Sequence, residues 1–309
     1  MINEAAITLK HLRALVAIRE NGSLTAAAET LGLTPPAVST QLRQLEENLG
    51  TRLVMRGNDG KTSLTSPGRE VFRSMRQIES TLTNCYDRVK SIRQGKVGFV
   101  GIGAVSTGKY FAPQLVSDFQ AENPGIKVAL RIGNREEIIA MVMEGAIDVA
   151  IMGRPPRSPM VTAEILGPHP HIFVAPKGHP LATGCDVSPD DLLAETFLVR
   201  ERGSGTRILM ERLLDRLGEG RGYETVGMGT NETIKQAVIA GLGIAFLSGH
   251  TVASELADGR LLQIKAPGVP IIRQWFLMHR RDMPLTAVTE KFRKFIVAQK
   301  GSYLPTIPE

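Results

Sequence analysis

Cysteine is scarce in this chain. Among 309 residues only Cys85 and Cys185 occur, far apart and without the paired spacing of zinc sites or redox motifs. That excludes a disulfide scaffold and predicts a reducing compartment. Long apolar runs are missing too: no stretch approaches the ~18 consecutive apolar residues of a membrane span. The segment MINEAAITLKHL lacks the basic start and apolar run of a leader. A soluble, cytoplasmic protein with no membrane partner is therefore expected. A catalytic constellation is also lacking. His169, His171 and His179 do not have metal-ligand spacing, Cys185 has no evident base, and no serine sits in a nucleophile-elbow motif. Neither a metal, a resident cofactor nor an enzyme is expected.

What is present is length enough for two or three domains, each able to form a core without staples. The net charge of +6 permits a polyanionic partner. Its placement says more: between Arg52 and Arg76 six basic residues face two acidic ones. Just before that excess stands SLTAAAETLGLTPPAVSTQLRQLE, residues 23–46. Ser23 can cap a short helix whose Ala27, Ala28 and Leu31 form a small apolar face, and Gly32 supplies a left-handed stop. Thr34, Pro35 and Pro36 fit only a helix start, because proline lacks the N–H that an interior turn needs. Val38, Leu42, Leu45 and Leu49 then recur at helical spacing, leaving Pro36, Ser39, Thr40, Arg43 and Glu47 outward. Two short helices about a glycine turn, the second with short polar groups and an arginine on its free face, read as a DNA-binding helix-turn-helix. Taken alone, the pair also fits a merely packed helical corner.

Leu9, Leu12, Leu15 and Val16 predict a helix before this pair, and 52–56 and 61–64 predict two strands about the turn Gly57-Asn58-Asp59-Gly60, a wing. From Pro67 to Arg93, Val71, Met75, Ile78, Leu82, Cys85, Val89 and Ile92 alternate by four and three. That is a heptad seam, which favours dimerisation over packing within one domain and makes Cys85 a small hydrophobe. Beyond Gln94-Gly95-Lys96, apolar strands alternate with helices. The pattern predicts two α/β lobes, crossed twice near 153–167 and 266–270, with a cleft between. The domains expected are 1–66, 67–95 and 96–309, the last divided into lobe I (96–160 and 268–309) and lobe II (161–267).

Polar and glycine-rich residues gather at strand-to-helix turns, where open α/β sheets bind ligands. One turn spans Gly103 to Lys109 and includes Ala104, Ser106 and Thr107. A second holds Ser204 and Thr206, and a third Asn231. Arg135, Arg154, Arg202 and Arg207 lie near these turns or the hinge. Helix N-termini offer unpaired N–H groups and partial positive charge, so a phosphate or carboxylate is the expected ligand. Each glycine alone also fits an ordinary turn. Gly101-Ile102-Gly103-Ala104-Val105-Ser106 is a weak match to the dinucleotide fingerprint: Ser106 replaces the third glycine, and Arg131 and Arg135 stand where a ribose-binding carboxylate is needed. A nicotinamide-dependent enzyme is the rival reading it supports.

LTAAAETLGLTPPAVSTQLRQLEENLGTRL resembles the amino-terminal winged helix-turn-helix of LysR-type transcriptional regulators. The two lobes resemble that family's periplasmic-binding-protein-like effector domain. The resemblance covers almost the whole chain and implies a winged helix-turn-helix, a long linker helix and a two-lobed α/β effector domain. It implies a double-stranded DNA operator contacted by Thr34, Pro36, Ser39, Thr40, Arg43, Arg52 and Arg56, and an effector near Ser106, Thr107, Arg154, Thr206 and Asn231. Pro35 stands where glutamine is frequent and Thr40 where arginine is frequent, so operator preference does not transfer. GIGAVSTGKYFAP, MGRPPR, APKGHPLA, RERGSGTR and NETIKQAVIAGLGIAFLSGH look most like the regulators of Calvin-cycle carbon-fixation operons. Those answer to phosphorylated metabolites, including ribulose bisphosphate and NADPH. A homotetramer built as a dimer of dimers, with RNA polymerase as a further partner, is the expectation that follows; a LysR-type regulator of another operon is its alternative.

Overall fold

The computed structural model describes residues 6–56, 62–93, 98–184 and 186–308. They form two compact units, 1–86 and 87–309.

The first unit is a helical trio with a two-stranded wing. Thr8 caps α1 (Leu9–Asn21), Ser23 caps α2 (Leu24–Leu31) and Thr34 caps α3 (Pro35–Leu49), each side chain accepting a backbone N–H of the first turn. All three helices end on a glycine of positive φ: Gly22, Gly32 and Gly50. Their apolar stripes meet in one core of Leu15, Ile18, Ala27, Val38, Leu42 and Leu45. Strands β1 (Val54–Arg56) and β2 (Thr62–Leu64) pair antiparallel with Val54 opposite Leu64. Glu46, on α3, accepts the N–H groups of Leu53 (2.7 Å) and Val54 (3.3 Å) and so fixes the wing to the helix before it. The turn expected at 57–60 and Lys61 lie outside the described residues.

A single helix, α4 (Ser66–Arg93), spans the heptad seam, and the division between units falls within it. Met75 is buried, but Ile78, Cys85 and Val89 are exposed. The side chain of Ile92 is outside the description.

The second unit opens with β3 (Gly98–Val105), a 3-10 turn over Ser106–Tyr110, α5 (Ala112–Glu122), β4 (Ile126–Gly133), α6 (Arg135–Met143) and β5 (Val149–Met152). Then come β6 (Val161–Pro176), α7 (Pro189–Leu193), β7 (Thr196–Val199), α8 (Gly205–Gly218), β8 (Glu224–Gly227) and α9 (Asn231–Ile239). The chain closes with β9 (Ala245–Ser248), α10 (Gly249–Ala257), β10 (Leu261–Ile264), β11 (Ile271–Arg280) and α11 (Ala287–Ala298). Strands β3, β4 and β5 are parallel, as the alternation predicts, and so are β7 and β8.

The lobes are joined at two crossings. They are two long strands, β6 and β11, paired antiparallel from Ile271 opposite His171 to Arg280 opposite Val161, with a register shift at Trp275/Phe276. Gly167, Pro168 and Pro170 read locally as a loop, yet the partner strand holds them extended. Because β6 also pairs with β9 and β10, and β11 with β5, one seven-stranded sheet runs through both lobes. Lobe I packs Phe111, Phe119, Trp275 and Phe292 on one face; Phe119 and Phe292 meet edge to face at 5.0 Å. Lobe II buries Phe173, Phe197, Met210 and Phe246 beneath α8. Each such side chain contributes roughly 1.5–3 kcal/mol on leaving water. The alternation expected of the sequence does not include helix α10 or strand β10.

Candidate functional site

On α3, Pro36, Ser39, Thr40 and Arg43 follow a helical repeat on one free face, and all are exposed. Thr34 starts this face by accepting the Ala37 N–H at 3.4 Å. Arg43 leans on Glu47 at 3.7 Å, with both side chains largely in water. An ion pair of that kind contributes little and yields readily to a phosphate. Arg52 is exposed just before the wing, where its carbonyl accepts the Thr65 hydroxyl at 2.8 Å. Arg56 ends β1 opposite Thr62; its side chain is outside the description.

In the second unit a cavity of about 690 Å³ lies between the lobes. Three helical starts meet there. Ser106 and Thr107 begin the 3-10 turn after β3, Asn134 and Arg135 begin α6, and Ser204, Gly205 and Thr206 begin α8. The Ser204 hydroxyl makes no capping bond to its helix, so the first amides of α8 keep their donors for a ligand. Gly153 and Arg154 follow β5, and Arg135 Nη1 donates to the Arg154 carbonyl at 2.7 Å. Arg200, Arg212 and Arg273 complete the basic lining, and among the described residues no carboxylate lines the cavity. Burial and the neighbouring Arg154 both lower the pKa of Arg135, as expected of cations gathered without a counter-ion.

Arg200 is the centre of this arrangement, although the sequence did not single it out. It is buried at the carboxyl end of β7, where its guanidinium takes both Glu201 oxygens at 2.7 Å, donates to the Asn231 side chain and reaches Ser106 Oγ at 3.0 Å. Ser106 belongs to lobe I and the others to lobe II, so Arg200 joins the two walls of the cleft.

His169 and His171 line the floor, and His250 stacks beyond His169 behind it. His169 stacks on Trp275 with ring centroids 3.9 Å apart and bonds through Nε2 to Ser248 Oγ at 2.9 Å. His171 lies beside it, and His250 accepts the Trp275 indole N–H at 3.0 Å. Burial holds His171 and His250 at pKa values of about 4 and His169 well below its usual range. All three are neutral at physiological pH, so the positive charge of the cleft resides in the arginines.

Six of the ten sequence-predicted effector residues line this cavity: Ser106, Thr107, Arg135, Arg154, Ser204 and Thr206. Four do not. Strand β3 continues to Val105, which turns Ala104 into the core of lobe I. Lys109 pairs with Glu232 at 3.3 Å and lies over the Tyr110 ring. Arg202 is exposed outside the cavity, and Asn231 is buried behind Arg200, which it orients. The same continuation of β3 removes the dinucleotide fingerprint. Gly101 and Gly103 lie within the strand rather than at a phosphate turn, and a Cβ on Gly103 would overlap Ile147.

A helix-turn-helix unit joined to a two-lobed α/β unit with a ligand cleft defines a ligand-responsive DNA-binding regulator. Comparison with known proteins agrees. Residues 9–69 match the bacterial regulatory helix-turn-helix protein family of the lysR type, and residues 93–301 match the LysR substrate binding domain. The chain belongs to the LysR family of transcriptional regulators. It is 50% identical over all 309 residues, and over the full length of the relative, to the HTH-type transcriptional regulator CbbR of Cereibacter sphaeroides. It is 42% identical to CbbR of Xanthobacter flavus, covering 97% of this chain and 90% of that one. Among solved structures, the regulatory domain of Synechocystis PCC6803 CcmR in complex with 2-PG is 30% identical, with a TM-score of 0.61 over 66% of this chain and 98% of that chain. The LysR family regulator CbnR shares the fold at 18% identity, with a TM-score of 0.68 over 96% of this chain and 100% of that one. These relatives are regulators of transcription, not enzymes. No described helix is long and apolar enough to cross a membrane.

Proposed function

We propose that this chain regulates carbon-fixation genes, ribulose bisphosphate carboxylase among them, in response to a phosphorylated metabolite held between its lobes. The observation that carries the effector reading is the arginine-lined cavity with no carboxylate in its described lining. The carbon-fixation reading rests on relatives named CbbR and on a RuBisCO operon transcriptional regulator of Allochromatium vinosum at 39% identity. Residues 1–66 bind the operator, 67–95 pair with a second copy through the seam left open by Ile78, Cys85 and Val89, and 96–309 sense the effector. A dimer of dimers places several recognition helices on one operator, and RNA polymerase is the next partner. Ligand acts by having different affinities for two arrangements of the lobes. Ribulose bisphosphate, NADPH and 2-phosphoglycolate are the effectors to test.

Operator binding by the intact protein, titrated with each metabolite at fixed salt, is the test, since phosphate-driven affinity has meaning only at stated salt. A metabolite-dependent change in affinity or bending supports the reading. Specific binding that none of them alters leaves a LysR-type regulator of another operon. Arg43→Ala should weaken operator binding about tenfold, the loss of one charge-assisted contact, with unfolding unchanged. Equal affinity would remove Arg43 from the interface. Arg154→Ala should keep DNA affinity but raise the effector concentration for half response about tenfold; an unchanged titration counts against the cleft.

A further inference from the structure

We infer that the ion pair between Arg88 of α4 and Asp148, at the entry to β5, is the joint through which the linker helix follows movement of the effector lobes. Neither residue lines the cleft. The inference rests on the reading that the cleft takes an effector.

Two observations converge. The first is what the pair holds together. The last turns of α4, from Asp87 on, belong to the second unit. From there Arg88 Nη2 donates to Asp148 Oδ1 at 3.1 Å. The other oxygen, Asp148 Oδ2, accepts the Gly101 N–H at 2.7 Å, and the Asp148 N–H donates to the Gly101 carbonyl at 2.8 Å. One carboxylate thus holds the helix on one side and β3 on the other. Burial raises the pKa of Asp148, and the Gly101 N–H and Arg88 oppose that rise. Arg88 Nε is covered and has no partner among the described residues, so a single charge-assisted bond joins helix to sheet instead of a two-bonded fork. A small shift of the strands suffices to alter such a bond.

The second is what lies at the far ends of the same strands. The bonds between Asp148 and Gly101 start the parallel ladder that continues with Ile102 beside Val149 and Ala104 beside Ile151. Past its end, Ser106 and Thr107 follow β3, and Gly153 and Arg154 follow β5; all four line the cavity. From Gly101 to Ser106, and from Asp148 to Gly153, the chain covers about 16 Å at ~3.3 Å per residue. Between these ends the strands are buried, through Phe99 to Ala104 of β3 and the whole of β5. Close-packed strands move as bodies and do not stretch, so a displacement at the cavity reaches Asp148 and, through Arg88, α4.

The test uses the full-length protein with ribulose 1,5-bisphosphate as probe. Arg88→Met removes the bond from the helix; Asp148→Asn weakens it from the sheet, keeps an acceptor for Gly101 and leaves α4 untouched. Without probe, amides of residues 86–90 should exchange with solvent about tenfold faster in Arg88→Met and about threefold faster in Asp148→Asn. Calorimetry should find probe affinity within about twofold of the unmodified protein in both, because the pair is remote from the cavity. Operator affinity without probe should also be unchanged, while the probe-dependent change in operator affinity falls below about twofold. Arg88→Lys should recover part of that response. Unaltered exchange in both variants, a full probe-dependent response, or a parallel loss of probe affinity overturns the joint. Failure of the probe to bind the unmodified protein counts against the effector reading, and the exchange rates then decide the joint alone.

Discussion

Arg200→Met should abolish the effector response, lowering affinity for a phosphorylated ligand by about a hundredfold or more. The side chain is only 4% exposed, and every face of its guanidinium is in use. Its backbone carbonyl is held as well, by Arg207 Nη1 at 3.0 Å. Methionine fills the space but leaves the Glu201 carboxylate without its fork and the Asn231 amide without its acceptor's partner, next to an Nδ2 that already has none. Removing one member of a buried pair costs ~3–5 kcal/mol. Glu201 is 29% exposed and can rehydrate, so a loss nearer about 2 kcal/mol in the effector unit is expected. Binding suffers more than folding, because Ser106 and Asn231 lose the group that aligns the two walls and Glu201 becomes an unmatched negative charge beside an anion. Arg200→Lys returns the charge without the planar fork and should recover only part of the affinity. Titration calorimetry with ribulose bisphosphate and urea unfolding on the same variants give both numbers; wild-type affinity in Arg200→Met would show that the ligand does not depend on this junction.

The contrast between Arg200 and the DNA-facing helix shows what a sequence can carry. The helix-turn-helix is written locally. Ser23 and Thr34 cap, Gly32 and Gly50 stop, and Val38, Leu42 and Leu45 face the core, all within one or two turns of the residues they affect. The α/β alternation is legible for the same reason. The ribbon of β6 and β11 is not, because its pairing joins segments far apart in the chain, and Gly167, Pro168 and Pro170 argue against a strand when read alone. In the cleft, the residues at helix starts are legible because anion binding there has a local signature. Arg212 and Arg273 have none. An arginine in the middle of α8 looks like any solvated helix face, and only the folded chain makes it a wall of the cavity that residues of β11 also line. Arg200 left a faint trace, a charged residue directly after the apolar Phe197-Leu198-Val199, at the strand end where such sheets bind ligands. Ala104 faces a ligand only if β3 stops short of it; because β3 runs on to Val105, a difference of a few residues puts the side chain in the core.

The effector unit should lose stability as the pH falls from 6.5 to 5, and the histidine floor should account for most of that loss. In the unfolded chain His171 and His250 titrate near 6.5; folded, burial holds each at about 4. Below 6.5 the unfolded state therefore binds protons that the folded state refuses, and the equilibrium shifts toward unfolding. The penalty is absent above 6.5, grows by ~1.4 kcal/mol per pH unit for each histidine, and levels off near pH 4. At pH 5 each histidine costs about 2 kcal/mol by this linkage, and His169, depressed in the same direction, adds to it. His171→Gln and His250→Gln together should flatten the slope between pH 6.5 and 5, where the carboxylates paired with arginine, such as Glu290, remain ionised. Urea unfolding midpoints at the two pH values measure this, and an equal fall in the double variant would assign the acid sensitivity to other groups. The neutrality of this floor also bears on binding. From pH 6.5 to 8 the arginines stay charged and the three histidines stay uncharged, so the field in the cleft is constant. A change of phosphate affinity across that range then belongs to the ligand's own second ionisation, with its pKa near ~6, and should persist unchanged when His171 and His250 are replaced.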